Sequence, residues 1–322
     1  MPDVLIKETD ETNPAYGCDP QKRLIEEHIR NGIINLDKLS GPTSHQVSDW
    51  VKKLFGLKKA GHGGTLDPAV TGILPVALEN ATKIIKLMLI GGKEYVALMH
   101  VHGDVDETTV RLAMEKFIGK IKQLPPKRSS VKRVVREREI YEIEFLDKQG
   151  RDVLFRVRCQ HGTYIRRLCE DFGKELGVGA HMIELRRTKA GGFSENDHLV
   201  TLQDLCDALA FWKEENNEKF LRYCVQPLES ALGNTPKIWI FDTTIDSVCN
   251  GTKLAVPGIS KLEDNIKPED TVAVMSLKGE LVGIGTAKMS SSEIMSAKNG
   301  IAVKLDRIVL RAGTYPAYKR EI

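Results

Sequence analysis

The chain has 322 residues, of which 41% are hydrophobic and 28% are charged, and its formal net charge is +3. These values allow two domains and are typical of a folded protein rather than a disordered one, while the net charge is too small to indicate a nucleic-acid partner by itself. The longest apolar stretches, such as "IIKLMLI", are shorter than the roughly 20 residues that span a bilayer, and the first residues lack the pattern of a secretory signal. We therefore expect an intracellular protein with no membrane segment.

The first half of the chain alternates predicted strands and helices. "GIINLDK" predicts a short buried strand, and "TSHQVSDWVKKLFG" predicts a helix that is capped by Thr43 or Ser44 and stopped by Gly56. The glycine-rich segment "GHGGTLDPAVTGILP" follows and runs into the buried strand "ILPVAL". Asp67 therefore lies in a loop between two elements, where its side chain can face a cleft. "KEYVALMHVHG" predicts a strand, and "DETTVRLAMEKFIG" predicts a helix with an acidic cap.

A basic segment separates the two halves. "KRSSVKRVVRER", residues 127–138, carries six basic residues and one acidic residue and follows a double proline. Such a segment suits a flexible arm that lies along a phosphate backbone. A solvated basic loop beside a hairpin explains the same pattern, and composition alone favours that explanation.

The second half begins with the predicted hairpin "REREIYEIEFL" and "RDVLFRVRCQH". "GTYIRRLCEDFGKELG" predicts an amphipathic helix that is capped by Thr163, with Arg166 in its first turn, off the apolar face and able to reach a cleft. "HMIELRRTKAGGF" predicts a strand and "TLQDLCDALAFWKEE" a helix. Short strands with glycine turns follow, including a hairpin that turns at Lys278-Gly279. This change from longer helices and strands to short strands with glycine turns predicts a domain boundary near residue 233.

The cysteines give no indication of a disulfide framework or a metal centre. Six cysteines lie far apart, without a C-x-x-C pair or a histidine at zinc-ligand spacing: Cys18, Cys159, Cys169, Cys206, Cys224 and Cys249. We expect them to be reduced and mostly buried.

The glycine-rich segment has four possible explanations. A phosphate cradle is disfavoured because the segment has neither a P-loop nor a GxGxxG order, and a metal site is disfavoured because His62 and Asp67 supply only two ligands. A tight structural turn explains the glycines and the Asp-Pro step. A reactive carboxylate is favoured by the four glycines, which leave room for a flat group beside Asp67, and by Tyr95 and Arg166 elsewhere, which can orient it.

Four segments occur in the order seen in TruB-type pseudouridine synthases: "LDKLSGPTSHQV", "GHGGTLDPAVTGILPVAL", "KEYVALMHVHGDVDE" and "CQHGTYIRRLCEDFGKELGVGAHMIELRRTKAGGF". The chain resembles this family from about residue 30, and most closely its dyskerin branch, the catalytic subunit of box H/ACA ribonucleoproteins in its compact archaeal form. "LAVPGISKLEDNIKPEDTVAVMSLKGELVGIGTAKMSSSEI" resembles a PUA domain. Leu39 stands where the family more often has proline, and the end "TYPAYKREI" lacks the lysine-rich tail common in eukaryotic members.

The resemblance implies an α/β (α+β) fold with a central mixed, largely antiparallel sheet flanked by helices, followed by a small β-barrel PUA domain. It implies an N-terminal extension over residues 1–30 that packs on the PUA domain, a catalytic domain over 31–233, the PUA domain over 234–314 and a tail over 315–322. The strand order itself does not follow from periodicity.

The implied activity is the isomerisation of uridine to pseudouridine in RNA, without a cofactor or a metal. The implied partners are a box H/ACA guide RNA, the substrate RNA and small accessory proteins, and the implied location is cytoplasmic, or nucleolar in a eukaryote. Two alternatives stay open. One is a stand-alone synthase that acts on the T-loop of transfer RNA, and the other is a non-catalytic RNA scaffold.

The resemblance also assigns residues to roles. Asp67 is the reactive carboxylate, Arg166 pairs with it and keeps it ionised, and Tyr95 stacks on the displaced uracil and assists proton transfer. With the resemblance, the basic segment is better explained as an arm that clamps RNA. The residues expected to contact RNA are Lys38, His62, Gly64, Thr65, Lys127, Arg128, Lys132, Arg133, Tyr164, Leu185, Gly251, Lys253, Pro257 and Gly258.

Overall fold

Two β-sheets form the frame of the protein in a computed structural model that describes residues 2–9, 11–125 and 133–317. The described strands, in chain order, are β1 (Val4–Ile6), β2 (Gly32–Lys38), β3 (Ala60–His62), β4 (Thr71–Leu78), β5 (Lys93–Val101), β6 (Gly119–Gln123), β7 (Arg136–Gln149), β8 (Asp152–Cys159), β9 (Ala180–Ala190), β10 (Phe193–Ser194), β11 (Leu199–Val200), β12 (Gln226–Pro227), β13 (Lys237–Ile240), β14 (Leu254–Ala255), β15 (Ile259–Glu263), β16 (Thr271–Ser276), β17 (Leu281–Ala287) and β18 (Ile301–Ile308).

The strands form a large sheet and a small sheet. In the large sheet the order is β11-β2-β4-β9-β5-β8-β7-β6, with β10 on β9, β12 on β2 and β3 on β4. The small sheet has the order β1-β15-β13-β16-β17-β18-β14. Most neighbours are antiparallel, and the parallel pairs are β11 with β2, β4 with β9, and β13 with β16. The predicted mixed, largely antiparallel sheet is therefore confirmed.

Helices cover the sheets, and their bounds follow local capping. The described α-helices are α1 (Ile25–Arg30), α2 (Ser44–Leu54), α3 (Ile85–Ile90), α4 (Glu107–Glu115), α5 (Ile165–Glu175), α6 (Leu202–Glu215), α7 (Lys219–Cys224), α8 (Asp242–Cys249) and α9 (Ser291–Ser296). Thr43 caps α2 in a reciprocal capping box with Gln46, as its sequence predicts. The predicted cap of α5 was wrong, because Tyr164 occupies the N-cap position and the Thr163 hydroxyl donates instead to the Gln160 carbonyl, 2.7 Å away.

Apolar side chains connect the two sheets. One buried cluster contains Ile33 and Ile73 of the large sheet together with Met275 and Leu281 of the small sheet. Strand β1, from the start of the chain, pairs with β15 at the edge of the small sheet. No helix in the described part of the chain is both long and apolar enough to cross a membrane. The domain limits at residues 30, 233 and 314 stay predictions.

Candidate active site

The glycine-rich segment leaves β3, forms a loop over residues 63–70 and enters β4, and the core holds this loop at defined points. The Gly63 amide donates to the Pro75 carbonyl over 2.8 Å. The buried Ser44 hydroxyl, at the start of α2, accepts from the Leu66 amide at 2.8 Å and donates to the Leu66 carbonyl at 3.1 Å. Because Leu66 is fixed in the core, its neighbour Asp67 is turned outward at a defined place.

Asp67 forms an ion pair with Arg166, which lies 99 positions later in the chain. The Arg166 guanidinium donates through Nη2 to Asp67 Oδ2, and the side chains remain 48% and 55% exposed, respectively. The predicted contact is therefore present, and the pair is open to solvent. Exposed ion pairs add little to the free energy of folding, so the main physical effect of this one is to orient the carboxylate.

Tyr95 lies beside this pair on β5, with 9% of its surface exposed. Burial raises the pKa of its phenol, the charge of Asp67 raises it further, and the nearby Arg187 guanidinium opposes both effects. Tyr95 belongs to the same buried apolar cluster as Leu66 and Ile165, the chain neighbours of Asp67 and Arg166, and this places its ring near the pair. A raised pKa keeps the phenol protonated near neutral pH, so its hydroxyl can donate a hydrogen bond while its ring offers a flat apolar surface.

Two buried cations next to Tyr95 were missed by the sequence analysis. Arg187 on β9 is 1% exposed, and Lys93 on β5 is 6% exposed. The Lys93 ammonium donates to the Met88 carbonyl at 2.9 Å, and burial, assisted by the positive charge of Arg187, lowers its pKa to about 7. Strand alternation was a usable signal, because Lys93 and Tyr95 are two residues apart and must share a face of β5.

Lys38 corrects an expectation. It was expected to touch sugar or phosphate, yet it is 1% exposed and its ammonium donates to three backbone carbonyls at 2.9 Å, those of Leu39, Pro68 and Val70. Burial lowers the pKa of Lys38, while the charge of Asp67 opposes that change. An ammonium has three protons to donate, and all three are used inside the protein. Lys38 therefore ties the end of β2 to the loop after Asp67 instead of facing RNA.

His62 is half-buried, and its expected contact with RNA stays a prediction. Both ring nitrogens are buried without a hydrogen-bond partner, and the ring packs edge-on against His45 with centroids 4.9 Å apart. Burial, followed by the charges of His45 and Arg187, lowers the pKa of His62 to about 4. The ring is therefore neutral at physiological pH. Over residues 2–9, 11–125 and 133–317, no group of three or more His, Cys, Asp or Glu side chains is arranged to hold a metal ion.

The other residues expected to contact RNA near Asp67 differ in exposure. Thr65 is exposed, whereas Gly64 and Tyr164 are half-buried. The backbone of Tyr164 is held by the buried Gln123 side chain, which accepts from the Tyr164 amide at 2.9 Å and donates to its carbonyl at 3.2 Å. Leu185 packs against the apolar cluster that contains Tyr95. Their contacts with RNA stay predictions.

The remaining expected RNA contacts lie in the arm and in the small sheet. Lys127, Arg128 and Lys132 fall outside the described residues, and Arg133 is exposed at the point where the described chain resumes. In the small-sheet region, Gly251, Lys253 and Pro257 are exposed, and Gly258 is half-buried against Thr244. Gly251 has a φ of +96°, which a residue with a side chain rarely adopts. The placement of these residues leaves their roles as predictions.

Family models match the chain along most of its length. Residues 52–165 match the TruB family pseudouridylate synthase N-terminal domain, and residues 166–233 match the tRNA pseudouridylate synthase B C-terminal domain. A PUA domain model matches residues 236–309, and a DKCLD domain model matches residues 1–48.

Individual relatives are similar over almost the whole chain. A protein of Methanopyrus kandleri described as a probable tRNA pseudouridine synthase B is 55% identical over 98% of this chain and 93% of its own length. Among solved structures, a chain of a Cbf5-Nop10-Gar1 complex is 53% identical, with a TM-score of 0.93 over 99% of this chain and 97% of that chain. A chain of an H/ACA ribonucleoprotein bound to a substrate RNA containing 2′-deoxyuridine is 51% identical, with a TM-score of 0.92 over 98% of this chain and 97% of that chain.

Proposed function

The chain belongs to the TruB family of pseudouridylate synthases, and from this premise we propose that it isomerises uridines in RNA, with Asp67 as its reactive carboxylate. The observation that carries the proposal is the solvent-open contact between Asp67 and Arg166, whose chain neighbours Leu66 and Ile165 pack in one cluster with Tyr95. A carboxylate that is held in one orientation at a surface can meet a base that leaves its stack.

The reaction needs one carboxylate and no cofactor. The bond between N1 of uracil and C1′ of the sugar breaks, a bond between C5 and C1′ forms, one proton leaves C5 and one is taken up at N1. Atoms and electrons balance within the nucleotide, so no oxidant, reductant or water is consumed. A glycosidase needs a second carboxylate to manage water and the leaving group, whereas an isomerase that keeps its base does not.

The proposed roles follow from the positions of the side chains. Asp67 attacks C1′ or C6, or removes the 2′ proton, and Arg166 holds its oxygen in place. The ring of Tyr95 supports the uracil as it turns, and the phenol assists the proton transfer at C5. Because its neighbours hold the Tyr95 ring in place, contact of a base with the part that remains exposed would cost little side-chain freedom.

We further propose that target choice is delegated to a guide RNA. The similarity to chains of a Cbf5-Nop10-Gar1 complex and of an H/ACA ribonucleoprotein supports this, as does the match to a PUA domain. The proposed partners are therefore a box H/ACA guide RNA and small accessory proteins, and the proposed location is the cytoplasm. The name shared by the curated relatives favours a second candidate, a synthase that modifies transfer RNA without a guide.

An assay of pseudouridine formation tests the proposal. Wild type and Asp67→Ala are compared on labelled substrate RNA, with and without an H/ACA guide and accessory proteins, and on unmodified transfer RNA. Asp49→Ala is the matched control, since it removes an aspartate that pairs with Lys52 on the surface of α2.

Three outcomes separate the candidates. Guide-dependent product from wild type and Asp49→Ala, and none from Asp67→Ala, is the expected result. Product from transfer RNA alone would favour the unguided synthase. RNA binding without product under every condition would leave the scaffold as the function.

A further inference from the structure

A β-bulge places Arg187 directly opposite Tyr95. Along β5 and β9 the register passes from Glu94 opposite Lys189 to Tyr95 opposite Arg187, so Thr188 is an extra residue in β9. In a regular ladder Tyr95 would face Thr188, and Arg187 would point to the other side of the sheet. Bulges of this kind re-aim a side chain and are common next to active sites.

The bulge is fixed from the opposite face of the sheet by Glu94. Its carboxylate accepts a hydrogen bond from the Thr188 hydroxyl at 2.9 Å and forms an ion pair with Lys189 over 3.4 Å. Glu94 is 8% exposed, which partly shields its contact with Thr188, whereas the Lys189 side chain remains 53% exposed. Specific polar contacts therefore stabilise the register shift.

Arg187 is anchored by the backbone on the side away from Tyr95. Its Nε donates to the Ile73 carbonyl at 2.8 Å and its Nη2 donates to the Gly64 carbonyl at 3.0 Å. Gly72 makes the first contact possible, since a Cβ there would lie 2.3 Å from the Arg187 carbonyl oxygen and would push β4 away from β9. Across the ladder Arg187 faces Tyr95, and the charge of its guanidinium opposes the burial that raises the pKa of the phenol.

These partners are unusual for a buried cation. An arginine that is almost fully buried normally faces a carboxylate, because burying an isolated charge is costly. Here the described hydrogen-bond partners are two carbonyls, the facing residue is Tyr95, and burial lowers the pKa of Arg187. Stability alone does not explain the arrangement, since an apolar side chain of similar size would avoid the cost of burying the charge.

We propose that Arg187 is a positioning residue for the isomerisation: the carbonyls of Ile73 and Gly64 fix its guanidinium, and the guanidinium fixes the Tyr95 hydroxyl above the reacting base. This inference rests on the proposed function. The planar guanidinium is required because it presents several N–H donors at fixed angles, whereas a lysine ammonium is a point donor on a flexible stem.

Arg187→Lys tests the proposal because it keeps the positive charge and loses the fixed geometry. Arg186→Lys is the matched control: the neighbouring arginine carries the same substitution, but it pairs with Asp37 and Glu195 on the outer face. We expect Arg187→Lys to slow single-turnover pseudouridine formation about ten- to a hundredfold, with RNA affinity unchanged, because small misplacements of reacting groups have effects of this size. Arg186→Lys should stay within about twofold of wild type.

A double-mutant cycle separates positioning from general damage. If Arg187 acts through the Tyr95 hydroxyl, then Arg187→Lys in a Tyr95→Phe background should cost less than about threefold, because the group that it positions is gone. The full loss in that background, or a wild-type rate for Arg187→Lys alone, would overturn the proposal. Circular dichroism and thermal melting of each variant show whether it is folded.

Crystal structures of wild type and Arg187→Lys give a readout that does not depend on activity. We expect the Tyr95 hydroxyl to move by about 1 Å or more in the variant, the scale at which catalysis is lost. An unmoved Tyr95 would refute the positioning role even if the enzyme is active. A wild-type protein that makes no product would instead refute the proposed function, and the crystal structures would still decide whether Arg187 holds Tyr95.

Discussion

The two sides of the candidate site are built in opposite ways. On one side, Asp67 and Arg166 meet at the surface, each about half exposed. On the other side, Tyr95, Lys93 and Arg187 are almost completely buried. Asp67 of the exposed pair follows Leu66, which hydrogen bonds fix in the core. In the buried cluster, by contrast, Lys93 and Arg187 donate to backbone carbonyls and not to carboxylates.

The difference separates what each side contributes. Screening by water makes the exposed pair nearly neutral for stability, so changes there should alter the rate and leave folding intact. Each buried polar group depends on its hydrogen-bond partners, so changes in the buried cluster should alter folding, position or pH response. The predictions below test this division, from the largest expected effect to the smallest.

Arg166→Met should reduce the single-turnover rate about 10²- to 10³-fold, which corresponds to roughly 3–4 kcal/mol of transition-state stabilisation. The free energy of unfolding should change by less than about 0.5 kcal/mol, because the pair is exposed. Arg166→Lys keeps the charge and should recover part of the rate. A loss of stability as large as the loss of rate would show that the exposed side also supports the fold.

Lys38→Met should lower the free energy of unfolding by about 2–4 kcal/mol, because a buried ammonium is lost and three backbone carbonyls, of which that of Val70 is buried, lose their donor. Urea denaturation measures the change, and Lys59→Met is the control for losing an exposed lysine. RNA affinity, measured where the variant is fully folded, should match wild type. Weaker RNA binding with unchanged stability would contradict the buried placement and restore the RNA contact first expected for Lys38.

The sequence predicted the exposed side better than the buried side. The alternation of elements places Asp67 in a loop and Arg166 in the first turn of a helix, and the family resemblance supplies the pairing between them. No local pattern reveals the bulge at Thr188, since the register of two strands depends on contacts such as Glu94 with Lys189. Without that register, Arg187 cannot be assigned to a face of β9.

The buried placement of Lys38 was equally hidden. A lysine at the end of a strand is usually solvated, and its burial depends on carbonyls that the later segment at Pro68 and Val70 brings within reach. The cap of α5 failed for a related reason. The Thr163 hydroxyl finds an acceptor in the preceding turn, at Gln160, and so is not available to the helix.

Lys93 should make stability depend on pH. Its pKa in the folded protein is about 7, below the 10.5 of an ordinary lysine, so between these values the unfolded chain binds more protons than the folded one. Stability contributed by this residue must therefore rise with pH above about 7, by up to roughly 1.4 kcal/mol per pH unit. The unfolding free energy of wild type should therefore rise relative to that of Lys93→Met from pH 7 to pH 9.

Urea denaturation at pH 6, 7, 8 and 9 checks this dependence, with Lys93→Leu as a second variant of different shape. Both variants should show the same pH-dependent difference from wild type. A difference that is constant at every pH would mean that Lys93 acts through packing alone, and the buried side would then not contain a titrating amine.

Lys253→Ala extends the comparison to a second exposed feature, far along the chain in the small-sheet region. An exposed lysine that contacts a phosphate contributes affinity without sequence preference, so guide RNA should bind a few-fold more weakly, and the slope of log K against log salt should fall by about 1.

Lys267→Ala, at another exposed lysine of the same region, is the control and should keep the wild-type slope. Because neither lysine is buried, the melting temperature should not change in either variant. Equal losses of affinity in both variants would indicate a diffuse positive surface, and an unchanged slope for Lys253→Ala would remove Lys253 from the RNA contact.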